Sequence, residues 1–297
     1  MVGITLRDHV AGYPQDIRTT VLKIAEVSKT VCKSFLNRLG STDHTNIYGE
    51  KQVKLDEWAD KLFISELGKT GLAKVISTEE QSEILEFPSE SNIALTIDPL
   101  DGSSLIGVNL TVGTIIGIHR DSVLKTGNQL IGALYILYGP LTLLVYSLGS
   151  GVHEFVLDKN GEYILEEENI QMPSGKIYSP GALRSEWLPY HKDWINRLES
   201  EGYKLRYSGS FVADVHQILH KGGVFSYPAF KGGDSGKLRL LYECVPMGYI
   251  VSQAGGAASN GNKNILDIFP EKFQVRTPIY IGGKREIQLI AEMMEDM

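Results

Sequence analysis

The chain has 297 residues, 42% hydrophobic and 22% charged, which excludes disordered, collagen-like and coiled-coil classes and leaves room for one large domain or two modest ones. Lys plus Arg number 29 against 36 Asp plus Glu, a net charge of −7, so no nucleic-acid partner is expected. Two distant cysteines, Cys32 and Cys244, build neither a disulfide framework nor a multi-cysteine metal site, and Arg7, Asp8, Asp16 and Arg18 leave no uncharged secretory core; a reducing cytoplasm is the expected location.

Ile17, Val21, Ile24, Val31 and Phe35 recur at helical spacing and predict a long helix from near Asp16 to Gly40. A polar loop over 41–48 is expected next, then a second helix from Leu55, with Trp58, Ala59 and Leu62 on its apolar face and Gly68 as its end. Strands are predicted at Ala73–Ser77, Ile93–Ile97 and Val108–Ile118. Residues 126–153 carry no Asp, Glu, Lys or Arg, enough apolar chain to weigh a membrane span. Two strand-length runs, Leu130–Tyr138 and Leu141–Leu148, flank Gly139-Pro140, and the stretch is read as a buried hairpin, with no membrane partner. A strand over Val152–Leu157 follows. From about Ser179 helices (185–201, 211–221, 237–255, 283–295) alternate with short strands (Lys204–Tyr207, Gly223–Tyr227, Ile279–Gly282), the grammar of an α/β layer arrangement, with a boundary expected near 170–180.

The chemistry concentrates in Asp98-Pro99-Leu100-Asp101-Gly102-Ser103-Ser104, directly after an apolar strand. Asp98 and Asp101 can converge on hard cations, while Gly102 lets the N–H groups of Ser103 and Ser104 approach a phosphate. Taken alone, the segment also fits an Asp-rich turn capping a helix. Upstream stand Glu50, Asp56 and the adjacent pair Glu79-Glu80 at a strand end, where mutual repulsion is relieved by a divalent cation. Several acids at strand ends, with one more from a later helix, suit a two-metal hydrolytic site.

The aspartate loop, followed by Val112-Gly113-Thr114-Ile115-Ile116-Gly117-Ile118 and by Gly236-Lys237-Leu238-Arg239-Leu240-Leu241-Tyr242-Glu243, resembles the class I fructose-1,6-bisphosphatases and their sedoheptulose-1,7-bisphosphatase relatives over about residues 15–290. The first motif alone would also suit inositol-monophosphatase-like enzymes; the other two decide. The resemblance implies an α/β fold of five layers, α-β-α-β-α, with an N-terminal metal-binding part (1–175) and a C-terminal sugar-phosphate part (176–297). It implies a homo-oligomer, tetramer or dimer, that removes the 1-phosphate of a ketose bisphosphate with roughly two or three Mg2+ per subunit, Mn2+ or Zn2+ being substitutes. Glu79, Glu80, Asp98, the Leu100 carbonyl, Asp101 and Glu243 match the metal ligands. Glu50 and Glu80 match the pair that orients or deprotonates the attacking water, and Asp56 the acid of a mobile loop assisting them. Arg206, Tyr207, Tyr227 and Lys237 match the pocket for the second phosphate.

Departures from the family pattern matter too. Tyr178-Ser179-Pro180-Gly181-Ala182-Leu183-Arg184 looks like the sedoheptulose bisphosphatases, and Arg184 is expected to reshape the distal phosphate pocket. Fructose 1,6-bisphosphate is the expected substrate, sedoheptulose 1,7-bisphosphate the alternative. A catalytically idle sugar-phosphate sensor is the reading from another class, and it is opposed by retention of every cluster carboxylate. Where AMP-inhibited relatives bind the nucleotide phosphate, this chain has Gln15-Asp16-Ile17 and Asn92-Ile93, keeping only Arg120. His216 and His220, four apart on a predicted helix without a zinc-protease Glu, are read as ordinary helix residues, and Cys244 as a small core residue.

Overall fold

The computed structural model describes residues 3–35, 41–45, 51–232 and 235–295. Behind a one-turn helix, α1 (Leu6–His9), the predicted apolar stripe forms α2 (Gln15–Ser34), with Ile17, Val21, Ile24 and Val31 buried. In place of the expected polar loop, β1 (Ser41–Thr45) pairs antiparallel with β2 (Lys51–Val53). Helix α3 (Lys54–Phe63) then widens into a π turn over Ile64–Lys69, where a Cβ on Gly68 would sit 2.5 Å from the Phe87 ring.

Strands β3 (Val75–Thr78), β4 (Leu85–Glu86), β5 (Ile93–Asp101), β6 (Val112–Arg120), β7 (Gly132–Tyr138), β8 (Thr142–Ser147), β9 (His153–Leu157) and β10 (Tyr163–Glu167) form one sheet in the order β10-β9-β8-β7-β6-β5-β3-β4. The charge-free stretch is its β7–β8 hairpin, in register from Ala133 opposite Ser147 to Tyr138 opposite Thr142. Every residue of β7 is buried, because helices cover both faces of the sheet. No helix among the described residues is long and apolar enough to cross a membrane. The strand expected from Val108 begins only at Val112. Residues Ser103–Val108 close a 3-10 turn that ends on left-handed Asn109 (φ 59°), leaving Val108 66% exposed.

The second half supplies β11 (Ile177–Pro180), α4 (Pro189–Ser200), β12 (Lys204–Leu205), α5 (Phe211–Lys221), β13 (Val224–Tyr227), β14 (Leu238–Arg239), α6 (Val245–Gln253), β15 (Ala257–Ser259), β16 (Arg276–Thr277), β17 (Ile279–Gly282) and α7 (Lys284–Glu295). Its sheet runs β12-β11-β13-β17-β15. The single helix expected over 237–255 is instead strand β14, a π turn at Leu240–Cys244, and α6. Pairing of Leu238 with Thr277 and of Arg239 with Arg276 makes the strand, and Pro246, with no N–H to give the Tyr242 carbonyl, sits in the first turn of α6 just past the π turn. Stacked in order, α2 and α3, the large sheet, α5 and α6, the small sheet, and α4 with α7 make the five expected layers.

Candidate active site

In a regular strand Asp98 and Asp101 would project from opposite faces. β5 pairs Asp98 with Ile115 but Asp101 with Gly113, so three steps on β5 match two on β6, which is a β-bulge. Pro99 fits there, since a residue without an N–H leaves no ladder bond unmet. Thr114 Oγ1 donates to the Pro99 carbonyl at 2.9 Å, and the Leu100 N–H donates to Asp98 Oδ1 at 3.0 Å. The bulge leaves both aspartates on one side, where one carboxylate oxygen from each and one from Glu243 all lie within 4.8 Å of one another.

Gly113 makes room for this convergence. A Cβ there would stand 2.4 Å from the Ile136 carbonyl and 2.7 Å from Val212, closing the gap through which α5 approaches. Across it the Val212 N–H donates to Asp101 Oδ2 at 2.8 Å and Ser210 Oγ does so at 2.9 Å. Asp214, which sequence reasoning missed, fixes the turn before α5 by accepting the Ser208 N–H at 2.9 and 3.1 Å. Glu243 sits in the π turn and accepts the Arg239 N–H at 2.5 Å, while Tyr242 OH meets Ser77 Oγ at 2.8 Å and ties that turn to β3. Just past β3, the Glu79 N–H donates to the Ile97 carbonyl at 3.0 Å, and its carboxylate is 3.4 Å from the buried Arg239 guanidinium. Arg239 was also missed as a site residue. Its signal was a cation four residues before Glu243 inside an otherwise apolar run.

Burial dominates the electrostatics. Asp98 is held well above the usual carboxylate range by burial, then by repulsion from Glu79, Asp101 and Glu243. Glu243 is raised in the same way by burial, Glu79 and Asp101. Asp101 is lifted to about 6 by burial, against the opposing hydrogen bonds from Val212 and Ser210 and the charge of Lys237. Asp56 is buried on α3, and Asp60 one turn on accepts from Gln81 Nε2 with its acid raised by burial. A buried set of oxygen donors that resists ionisation when alone fits a hard divalent cation, which relieves the repulsion.

The cluster opens into a cavity of about 490 Å³. Asp56, Glu79, Glu80, Asp98, Leu100, Asp101 and Glu243 line it together with Gly102, Ser103 and Ser104, Gly102 having the left-handed φ of 76° that the turn needs. Tyr207, Tyr227 and Lys237 complete the wall. Lys237 Nζ lies 5.9 Å from the Tyr227 ring centre, and the Tyr207 hydroxyl, pushed up to about 12 first by burial and then by Tyr227 and Asp214, remains a hydrogen-bond donor at neutral pH.

Two expected site residues stand apart from this cavity. The Arg184 guanidinium lies 5.4 Å from the Trp187 ring and donates to Asn196 Oδ1 at 3.4 Å; Arg206 is exposed, one guanidinium N–H donating to the Leu205 carbonyl at 2.9 Å. Glu50 lies outside the described residues. The departing segment that contains Arg184 meets the site through Gly181, where a Cβ would stand 2.3 Å from the Tyr227 ring.

Sequence and structure comparisons agree with this geometry. Residues 14–168 match the family model described as Fructose-1-6-bisphosphatase, N-terminal domain, and residues 172–295 match its C-terminal domain. The chain is 46% identical over 288 residues to a protein of Methanocorpusculum labreanum named fructose-1,6-bisphosphatase class 1, covering 96% of this chain and 90% of that one. It is 47% identical over 278 residues to a protein of the same name from Trichlorobacter lovleyi, covering 92% and 88%. The crystal structure of Leishmania major fructose-1,6-bisphosphatase in holo form superposes with a TM-score of 0.93 at 32% identity, covering 99% of this chain and 100% of that chain. Since both halves match in order and the matched strands are those that carry the bulged aspartate loop, the chain belongs to the fructose-1,6-bisphosphatase family.

Proposed function

We propose that this chain hydrolyses the 1-phosphate of fructose 1,6-bisphosphate, with Mg2+ as its divalent ion, to give fructose 6-phosphate and phosphate. The observation that carries the reading is one cavity that joins a converged carboxylate cluster to Lys237, Tyr207 and Tyr227. Glu79, Glu80, Asp98, Asp101, Glu243 and the Leu100 carbonyl hold the cations. When bound, these supply Lewis acidity toward the phosphate and lower the pKa of water. The chain's own contribution is positional. Ser103 and Ser104 present N–H groups to the phosphate under attack, and Glu80, Glu50 and Asp56 orient the incoming water and receive its proton. Lys237 and the two tyrosine hydroxyls bind the phosphate that stays on the sugar. Residues 1–175 form the metal-binding half and 176–297 the sugar-phosphate half, which lends Glu243 to the cations, and the chain works in the cytoplasm as a homotetramer or dimer in which the exposed Arg206 serves a neighbouring subunit.

Phosphate release with Mg2+ should be measured side by side on fructose 1,6-bisphosphate, sedoheptulose 1,7-bisphosphate and inositol monophosphate. Fructose bisphosphate is expected to turn over fastest. The sugar one carbon longer should follow within about 200-fold, because one carbon in an open pocket discriminates weakly. Hydrolysis of inositol monophosphate with neither bisphosphate touched would sink the proposal.

AMP is expected not to inhibit. One Arg120 guanidinium nitrogen donates to both Asp16 Oδ2 and Asn92 Oδ1, so this cation is already engaged by an acid at the start of α2. Arg120 in turn holds the Asp16 carboxyl below its usual range. A phosphate arriving there would displace a paired carboxylate and meet its charge. AMP titrated into the Mg2+ assay should leave the rate unchanged, and cooperative micromolar inhibition would refute the assignment.

A further inference from the structure

His216 and His220, read from the sequence as ordinary helix residues, face two strands that sequence spacing does not place beside them. Glu154 on β9 and Glu167 on β10 are cross-strand partners, so both carboxylates leave the large sheet on the same face, an arrangement that costs stability unless something positive lies between or above them. The last turns of α5 bring two imidazoles onto that pair. His220 Nε2 lies 2.9 Å from Glu154 Oε2 and its Nδ1 lies 3.7 Å from Glu167 Oε2, while His216 Nδ1 is 3.9 Å from Glu154 Oε2. One nitrogen of each histidine and one Glu154 oxygen all fall within 4.8 Å of one another, with Glu154 buried and both imidazoles mostly shielded.

We propose that Glu154, His216 and His220 form a second metal site, for a zinc-type transition ion, chemically distinct from the carboxylate centre. Bonds of about 2.1 Å to nitrogen and oxygen place the ligand atoms of a tetrahedral zinc site about 3.4 Å apart. The two nitrogen–oxygen separations, 2.9 and 3.9 Å, lie on either side of that value, and the nitrogen–nitrogen one is within 4.8 Å. The donor set sorts the ions: two imidazoles with one carboxylate favour zinc-type ions, whereas the all-oxygen cluster at Asp98 favours Mg2+. The surroundings supply one outer partner of the kind that orients a metal-bound imidazole. Glu167 faces the far nitrogen of His220, whereas the buried Tyr135 hydroxyl, 2.8 Å from His216 Nδ1, meets the nitrogen that faces Glu154 and turns aside when that nitrogen takes an ion.

The cluster of His9, His153 and Glu168 shows what such a grouping looks like when it is spoken for. There His153 Nδ1 accepts the Asn169 N–H at 3.4 Å and Nε2 donates to the Ser150 carbonyl at 3.1 Å, which leaves the ring no lone pair for an ion. At the proposed site neither His216 nor His220 is held by a backbone group among the described residues. An ion there would fasten the end of α5 to β9, and the opposite end of the same helix holds Asp101 through the Val212 N–H.

Co2+ titrated into the full chain in the presence of excess Mg2+ tests the site, since histidine-ligated tetrahedral cobalt has strong visible bands and six-coordinate cobalt on oxygens does not. Wild type should gain these bands at one further Co2+ per chain. They should vanish in His220→Gln and Glu154→Gln and persist in Asp98→Asn. Glu167→Gln, altering only the outer partner, should weaken Co2+ binding about tenfold. Glu167 is about half exposed and His220 is less buried than Glu154, so those two variants decide the matter even if Glu154→Gln fails to fold. Absence of the bands in wild type, or bands unchanged in His220→Gln, would overturn the proposal.

Discussion

Asp101→Asn is expected to lower kcat by about a thousandfold at saturating Mg2+ while leaving the fold intact. The carboxylate lies within 4.8 Å of Asp98 and Glu243 and borders the cavity, so one negative charge is lost from the group meant to hold the cations. The scaffold keeps what it needs from this side chain. Only Oδ2 receives the hydrogen bonds from Val212 and Ser210, and the amide oxygen of Asn can accept both. The metal-free variant also loses a buried acid that repels Asp98 and Glu243, so its melting temperature should equal or exceed that of the metal-free wild type. Steady-state kinetics and thermal melts on the same preparations separate the two effects. Near wild-type turnover would remove Asp101 from the mechanism, and a much lower melting temperature would make the loss structural.

Metal affinity should fall steeply with acid, by about tenfold per pH unit below about 6 for each proton an ion displaces. Burial raises Asp101 from 3.8 to about 6, so between those values the metal-free folded chain holds more protons than the unfolded one. The sign follows. The favourable contribution of this group is full below its unfolded value and is lost as pH rises through about 6, a loss of about 3 kcal/mol from Asp101 alone at neutral pH. A divalent ion reverses the preference by stabilising the ionised form and expelling the protons. Calorimetric Mg2+ titrations at pH 7.5 and 5.5, each in buffers of different ionisation enthalpy, should show weaker binding and more proton release at the lower pH. Equal affinity with no proton release would mean that the ions bind elsewhere. The metal-free stability difference between wild type and Asp101→Asn should likewise grow in favour of the variant from pH 5 to pH 7.

The architecture was largely legible because local signals agreed with one another. The β7–β8 hairpin follows from two apolar runs around Gly139-Pro140, and α5 from an uninterrupted helical period between Ser210 and Gly222. Reading failed where local and distant demands conflict. Residues 237–255 are mostly apolar and read as one helix, yet Pro246 and the pairing of Leu238 with Thr277 divide them into a strand, a π turn and a helix. Val108 looks like strand, but left-handed Asn109 postpones β6 until Val112. For the site, the acids were visible as adjacent or closely spaced residues, whereas Asp214 and Arg239 act through contacts that only folding creates. The same holds for the two histidines of α5, whose glutamate partners lie more than a sheet strand away in sequence and on a different layer.

The bulge at Pro99-Leu100 makes the centre depend on strand pairing. Ile93, Leu95 and Ile97 belong to the apolar layer beneath α2 and α3, and strict alternation would send Asp101 in after them. The centre is therefore encoded in the pairing of β5 with β6 as much as in residue identities. Substitutions at the two intervening positions leave Asp101 facing the cavity while the bulge persists, and loss of one of them would leave both aspartates on one face of a regular strand, whereas straightening β5 with every residue in place would drive the Asp101 carboxylate into hydrocarbon without altering a single acidic letter.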